Sequence, residues 1–142
     1  MMALGETGLV RWACGQNVVY GDELHRYIEH LRRPRPRGLV LFDVVVGVAA
    51  PEVEHRRIIG SVVREVAASG EIVGHVLVTD SAIARRVLAA INWFAAPPFP
   101  EVVAGSLAEG LAAAKAMSPA IDVDDVLAVL HDRVPWLSAV RW

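Results

Sequence analysis

Asp43 is the residue in this sequence best placed to do chemistry. It interrupts the run Leu39-Val40-Leu41-Phe42-Asp43-Val44-Val45-Val46, which is otherwise apolar. A carboxylate inside a buried strand must be paired or hydrogen-bonded. At the C-terminal end of its strand it would lie where ligands of α/β folds bind. The plainer alternative is a structural Asp capping the next turn. Acid–base chemistry would also need a second group converging on it. The histidines are His25, His30, His55, His75 and His131. None are paired at i, i+4, and one cysteine makes no cluster, so a metal site is not expected. They read as scattered surface groups, with His75 in or near a strand and His25–Glu29 as an exposed pair. An enzyme using Asp43 with a histidine stays open as a reading, but no spacing supports the pairing.

Other chemistry finds less support. No Gly-x-Ser-x-Gly occurs, and Ser61, Ser69, Ser118 and Ser138 fall in helical or helix-end contexts. Cys14 reads as a small core residue on a strand. Gly105 to Gly110 has P-loop glycine spacing but lacks the Lys and the Ser/Thr that follow it. The expectation is therefore no catalytic residue, no cofactor and no metal.

Two surface features could bind a partner. Arg32, Arg33, Arg35 and Arg37 crowd one proline-containing loop, and such a cluster can clamp a phosphate, an acidic partner or RNA. A solvated loop is the simpler reading. Trp93, Phe94 and Phe99 flank Pro97-Pro98. Aromatics at a rigid turn can anchor a partner or seal the end of a core. Trp136 and Trp142 in the tail could close an apolar surface in cis or pair with a second copy.

These residues need a scaffold. A chain of 142 residues fits one domain, and 54% hydrophobic residues suffice for a core without staples. A net charge of −2 gives no basic field for nucleic acid. The longest apolar stretch, Gly38 to Ala50, is broken by Asp43 and is too short to span a membrane. No signal peptide is evident, and a lone cysteine suits a reducing cytoplasm.

The periodicities predict the elements. Thr7 to Gly15 and Val18 to Tyr20 read as a hairpin turning at Gly15-Gln16-Asn17. In Gly21 to Arg33, Leu24, Tyr27, Ile28 and Leu31 form one apolar face, and Pro34 and Pro36 stop the helix. Gly38 to Val46 reads as a central strand. Pro51 opens a helix that runs to Ala68, with Gly70 as a left-handed cap. Ile72 to Thr79 is a buried strand. Ser81 caps a helix from Ala82 to Phe94 with Ile83, Val87, Ile91 and Phe94 inward. Glu101 to Ala104 is a short strand. Ser106 and Glu109 form a capping box for a helix to Met117, and Asp122, Asp124 and Asp125 cap a last helix, Val123 to His131. The fold class is α/β, with about four to five strands, mostly parallel after an N-terminal hairpin.

Asp80-Ser81-Ala82-Ile83 through Ile91-Asn92-Trp93-Phe94, then Pro97-Pro98-Phe99-Pro100 and Ser106-Leu107-Ala108-Glu109-Gly110-Leu111, resemble bacterial proteins with a STAS/SEC14-like domain. The element order is similar to the STAS fold of anti-sigma factor antagonists. The resemblance covers roughly residues 7–117 and implies a STAS-like domain over 1–117, with 118–142 as a helical extension packed on it. Such antagonists carry a phosphorylatable Ser or Thr after the central strand. The matching Val46-Gly47-Val48-Ala49-Ala50-Pro51 has none, so the switch is expected to be missing. Asp80-Ser81 follows the next strand and reads as a helix cap. The resemblance implies a non-catalytic interaction or regulatory module with a protein partner, or with a second copy of itself. The SEC14-like side implies a small-molecule or lipid binder instead.

Overall fold

The computed structural model describes residues 2–17, 22–47, 53–94 and 96–142, with backbone alone at 22, 87 and 90–94. Five strands, β1 (Met2–Thr7), β2 (Val10–Gln16), β3 (Leu39–Val46), β4 (Ile72–Thr79) and β5 (Glu101–Ala104), form one mixed sheet in sequential order. β1 runs antiparallel to β2, and every later pairing is parallel. α1 (Asp22–Arg32), α2 (Val53–Ala67) and α3 (Ala82–Phe94) are the crossovers. α4 (Leu107–Met117), α5 (Val123–Arg133) and a 3-10 turn at Pro135–Ala139 follow the last strand.

Strand parity divides the core. Val10, Trp12, Val40, Phe42, Val44, Val76 and Val78 face α4, α5 and the 3-10 turn, where Leu111, Val126, Leu130 and Leu137 complete one cluster. Leu39, Leu41 and Ile72 pack with Leu31 of α1 and with Val62 and Val66 of α2. α4 lies close because Gly110 has no side chain. A methyl group there would enter the van der Waals space of Val78 and Phe42. The segment after Met117 thus supplies part of the larger core, through Ile121, Val126, Leu130, Val134 and Leu137.

The hairpin differs from its expected position. It turns at Gly8-Leu9, with Thr7 opposite Val10, and Gln16 still belongs to β2. Gly8 has φ +57°, a turn conformation glycine adopts without steric cost. Val18 to Tyr20, expected as a strand, lie outside the described residues, as do Val48 to Pro51. Ile83 was expected inward but is 44% exposed, while Ala84 beside it is buried. The inward expectations for Val87, Ile91 and Phe94 fall on side chains outside the description. The caps follow the sequence. Ser81 Oγ accepts from the Ala84 amide, Ser106 Oγ from the Glu109 amide, and Asp122 Oδ1 from the Asp125 amide. Gly70 has φ +72° after α2, and α5 runs two residues further than expected, to Arg133.

Candidate functional site

Asp43 is the fifth of the eight residues of β3. It therefore lies mid-strand, not at the C-terminal end expected of a ligand-binding carboxylate. With Leu39 and Leu41 it points to the α1–α2 face, because side chains alternate along a strand. His75 on β4 is opposite Leu41 and shares that face. Glu101 on β5 is opposite His75. Three neighbouring strands thus place three titratable groups in a row.

The row is hydrogen-bonded throughout. His75 Nε2 lies 2.8 Å from Asp43 Oδ2, and its Nδ1 lies 3.0 Å from Glu101 Oε2. A carboxylate only accepts, so an imidazole joining two of them donates from both nitrogens and is protonated. Tyr27 completes the group from α1, donating its hydroxyl to Asp43 Oδ2 at 2.8 Å. The three titratable side chains are only 12–14% exposed. Burial works against the proton on His75, but the hydrogen bonds and charges of Asp43 and Glu101 outweigh it and raise the pKa to about 9. With His75 charged and both carboxylates ionised, the group carries a net charge of −1.

His75 lies within β4, in a strand as the sequence reading had it, and Asp43 with His75 is the pairing for which the sequence offered no support. Tyr27 read as one more apolar position on α1, and Glu101 only as the start of a strand. A usable signal did exist. Asp43 and His75 are each the lone polar residue in the interior of a buried strand. Two such interruptions on adjacent strands seek each other, since neither can be left unpaired.

A second buried polar group anchors α1. Arg11 of β2, 1% exposed, is ion-paired with Glu6 and donates to the Arg33 carbonyl at 2.9 Å and the Pro34 carbonyl at 2.7 Å. These carbonyls belong to the two residues that follow α1, so Arg11 pins the exit of the helix to β2. His30 donates from Nε2 to the Trp12 carbonyl at 3.1 Å, and burial lowers its pKa despite the nearby Asp43 charge.

The arginine cluster is partly consumed in cis. Arg32 pairs with Glu65 of α2 at 2.8 Å, and Arg35 pairs with Glu71 at 3.0 Å while donating to the Leu31 carbonyl. Arg33 and Arg37 are exposed. Phe99 is half-buried against the Leu39–Leu41 cluster, so it serves as packing on that face. The backbones of Trp93 and Phe94 end α3, and their side chains lie outside the description. Cys14 is fully buried, and burial followed by the Asp43 charge pushes its thiol pKa well up. His25 and Glu29 form the exposed pair expected of them, at 3.1 Å.

No protein-family model matches this chain, and no curated protein or solved structure is significantly similar to it.

What the row can do chemically follows from its bonding. To act as a general base, His75 would need a ring-nitrogen lone pair free for substrate. Both nitrogens of His75 are engaged, so the imidazolium can act only after giving up a carboxylate. Among the described residues, no group of three or more His, Cys, Asp or Glu has a metal-holding arrangement. No helix among them is long and apolar enough to cross a membrane. A separate cleft of about 410 Å³ lies between α4, α5 and the tail, lined mainly by residues such as Leu107, Leu111, Leu127 and Leu137. His131 and Ser138 stand at this cleft with Nδ1 and Oγ 3.0 Å apart.

Proposed function

We propose that this chain is a non-catalytic interaction module of STAS-like type. The observation that carries the reading is the closed bonding of His75. The interior titratable residues most suited to acid–base work are committed to each other and to Tyr27. Their role is to tie β3, β4 and β5 to α1. The STAS-like element of the proposal rests on the resemblance and on a sheet of sequential order with an antiparallel first strand. Val46 to Pro51 carries no hydroxyl side chain, so the proposed module is not switched by phosphate at that segment. The proposed contact surface includes Arg33 and Arg37, two exposed arginines of the cluster.

Affinity capture from the native source tests this, comparing the wild-type chain with Arg33→Glu/Arg37→Glu. A partner held by the first and lost by the second is the expected result. Turnover of model ester or phosphate substrates that disappears in His75→Gln, with folding intact, would overturn the non-catalytic reading.

The cleft beside α5 favours a second reading, a binder of small apolar molecules. Its volume falls in the range of ligand pockets. A lipid or other apolar adduct carried through native mass spectrometry, and lost on Leu127→Trp, would support that reading over the first.

A further inference from the structure

We propose that β1 is a homodimerisation edge, on which two copies of this chain pair antiparallel about a twofold axis at Leu4 and join their sheets. β1 is the outer strand beside β2. A two-residue turn makes Thr7 and Val10 a hydrogen-bonded pair, so Gly5–Trp12 and Ala3–Cys14 are bonded pairs as well. The backbone groups of Met2, Leu4 and Glu6 then point away from β2, to the side on which no other described strand pairs. Of these, the Met2 carbonyl receives Arg26 Nη1 at 3.4 Å.

The two sheet edges differ in how they are protected. β5 has four residues, follows Pro100, which lacks an amide hydrogen, and is followed by Gly105, whose amide donates to Glu109. Short length and proline are common ways of blunting an edge. β1 has six residues, Met-Ala-Leu-Gly-Glu-Thr, with no proline or lysine, and its register to β2 is unbroken.

The occupant follows from self-complementarity. With Leu4 opposite Leu4 of a second copy, Met2 faces Glu6 and Ala3 faces Gly5, so the outward groups of Met2, Leu4 and Glu6 all find partners. Only small residues meet on the α5 side, and leucine meets leucine on the α1 side. Charge fits too. Glu6 has a side chain 40% exposed and would lie across from Met2, where Arg26 of the other copy already reaches. The twofold axis repeats that pair, placing a carboxylate beside an arginine at each end of the joined strands. This pairing does not depend on the functional reading above and fails or survives separately from it.

Light scattering of the full chain tests it. The wild type is expected near twice the protomer mass of 15.4 kDa. Leu4→Lys is expected at the protomer mass, with an unchanged circular dichroism spectrum. Arg26→Glu, on an exposed helix face, is expected to weaken the dimer by about tenfold. Leu4→Cys is expected to form a disulfide-linked dimer under mild oxidation, since Leu4 meets its own copy. A wild type at protomer mass at the highest soluble concentration would overturn the proposal. So would a dimer indifferent to both charge variants, or a Leu4→Cys chain that does not cross-link.

Discussion

His75 Nε2 lies 2.8 Å from Asp43 Oδ2, across the pairing of β3 with β4, on the face covered by α1 and α2. The opposite ring nitrogen is held by Glu101. This relationship sets how the protein should respond to pH. The folded chain keeps the proton on His75 up to about pH 9, whereas an unfolded histidine releases it near 6.5. The contribution is fully present below the unfolded pKa. Between the two values the native state binds the extra proton, so stability falls as pH rises. The melting temperature should decline from about pH 6.5 to pH 9, and His75→Gln should flatten that part of the profile. Equal slopes in both proteins would refute the assignment.

Asp43→Asn keeps the size of the side chain and removes its charge. The amide can still meet Tyr27 and His75, but it no longer favours the imidazolium. The titration midpoint of His75, followed by its ring proton resonance, should move down from about 9. A midpoint unchanged in Asp43→Asn would mean that Glu101 alone holds the proton.

Tyr27→Phe removes one donor from the Asp43 carboxylate. Hydrogen bonds to charged groups contribute roughly 1.5–3 kcal/mol, and the lower part of that range suits a partly buried site. The urea midpoint should fall accordingly, with no change in the slope of the transition. A midpoint equal to wild type would remove Tyr27 from the group.

Arg11 separates the role of charge from that of shape. Arg11→Met leaves carbonyls just after α1 without their donor and Glu6 without its partner. Because Glu6 is 40% exposed and can return to water, the cost expected is that of leaving the carbonyl acceptors unpaired, about 1–3 kcal/mol. Arg11→Lys retains the charge but not the planar fork that reaches Arg33 and Pro34 together. It should recover only part of the loss in urea unfolding, and full recovery would show that the fork geometry is irrelevant.

Gly110→Ala sets two local effects against each other. Alanine is the better helix former by about 1 kcal/mol. The added methyl, however, meets Val78 and Phe42, and overpacking costs about 1–3 kcal/mol. Net destabilisation in urea unfolding is expected, and a stabilised variant would show that α4 can move off the sheet.

Much of the scaffold was legible in the residues alone. The parallel strands β3, β4 and β5 are continuous or nearly continuous apolar runs, and α1 has its apolar residues at helical spacing. Ser81, Ser106 and Asp122 cap helices through bonds to amides three residues ahead, so their signals are complete within one turn of chain. The hairpin was less legible. The residues pointed to a turn at Gly15-Gln16-Asn17, and only the pairing of Met2–Thr7 with β2 places it at Gly8-Leu9. Ile83 is exposed because the small Ala84 beside it takes the inward position on α3.

By itself, the sequence determined the α/β alternation, most element boundaries and the need for Asp43 to find a partner, because these depend on local periodicity and on the cost of a bare carboxylate in a strand. Only the tertiary structure decided that the partner is His75, that Glu101 holds the ring from the other side, and that Tyr27 reaches in from α1. Those residues are 16 to 58 positions from Asp43 along the chain, and strand order and register bring them to one face. The tertiary structure also decided how the loop arginines are used, since Glu65 and Glu71 meet Arg32 and Arg35 only once α2 and β4 are docked beside α1. Contacts between distant segments are set by packing, which no local pattern encodes.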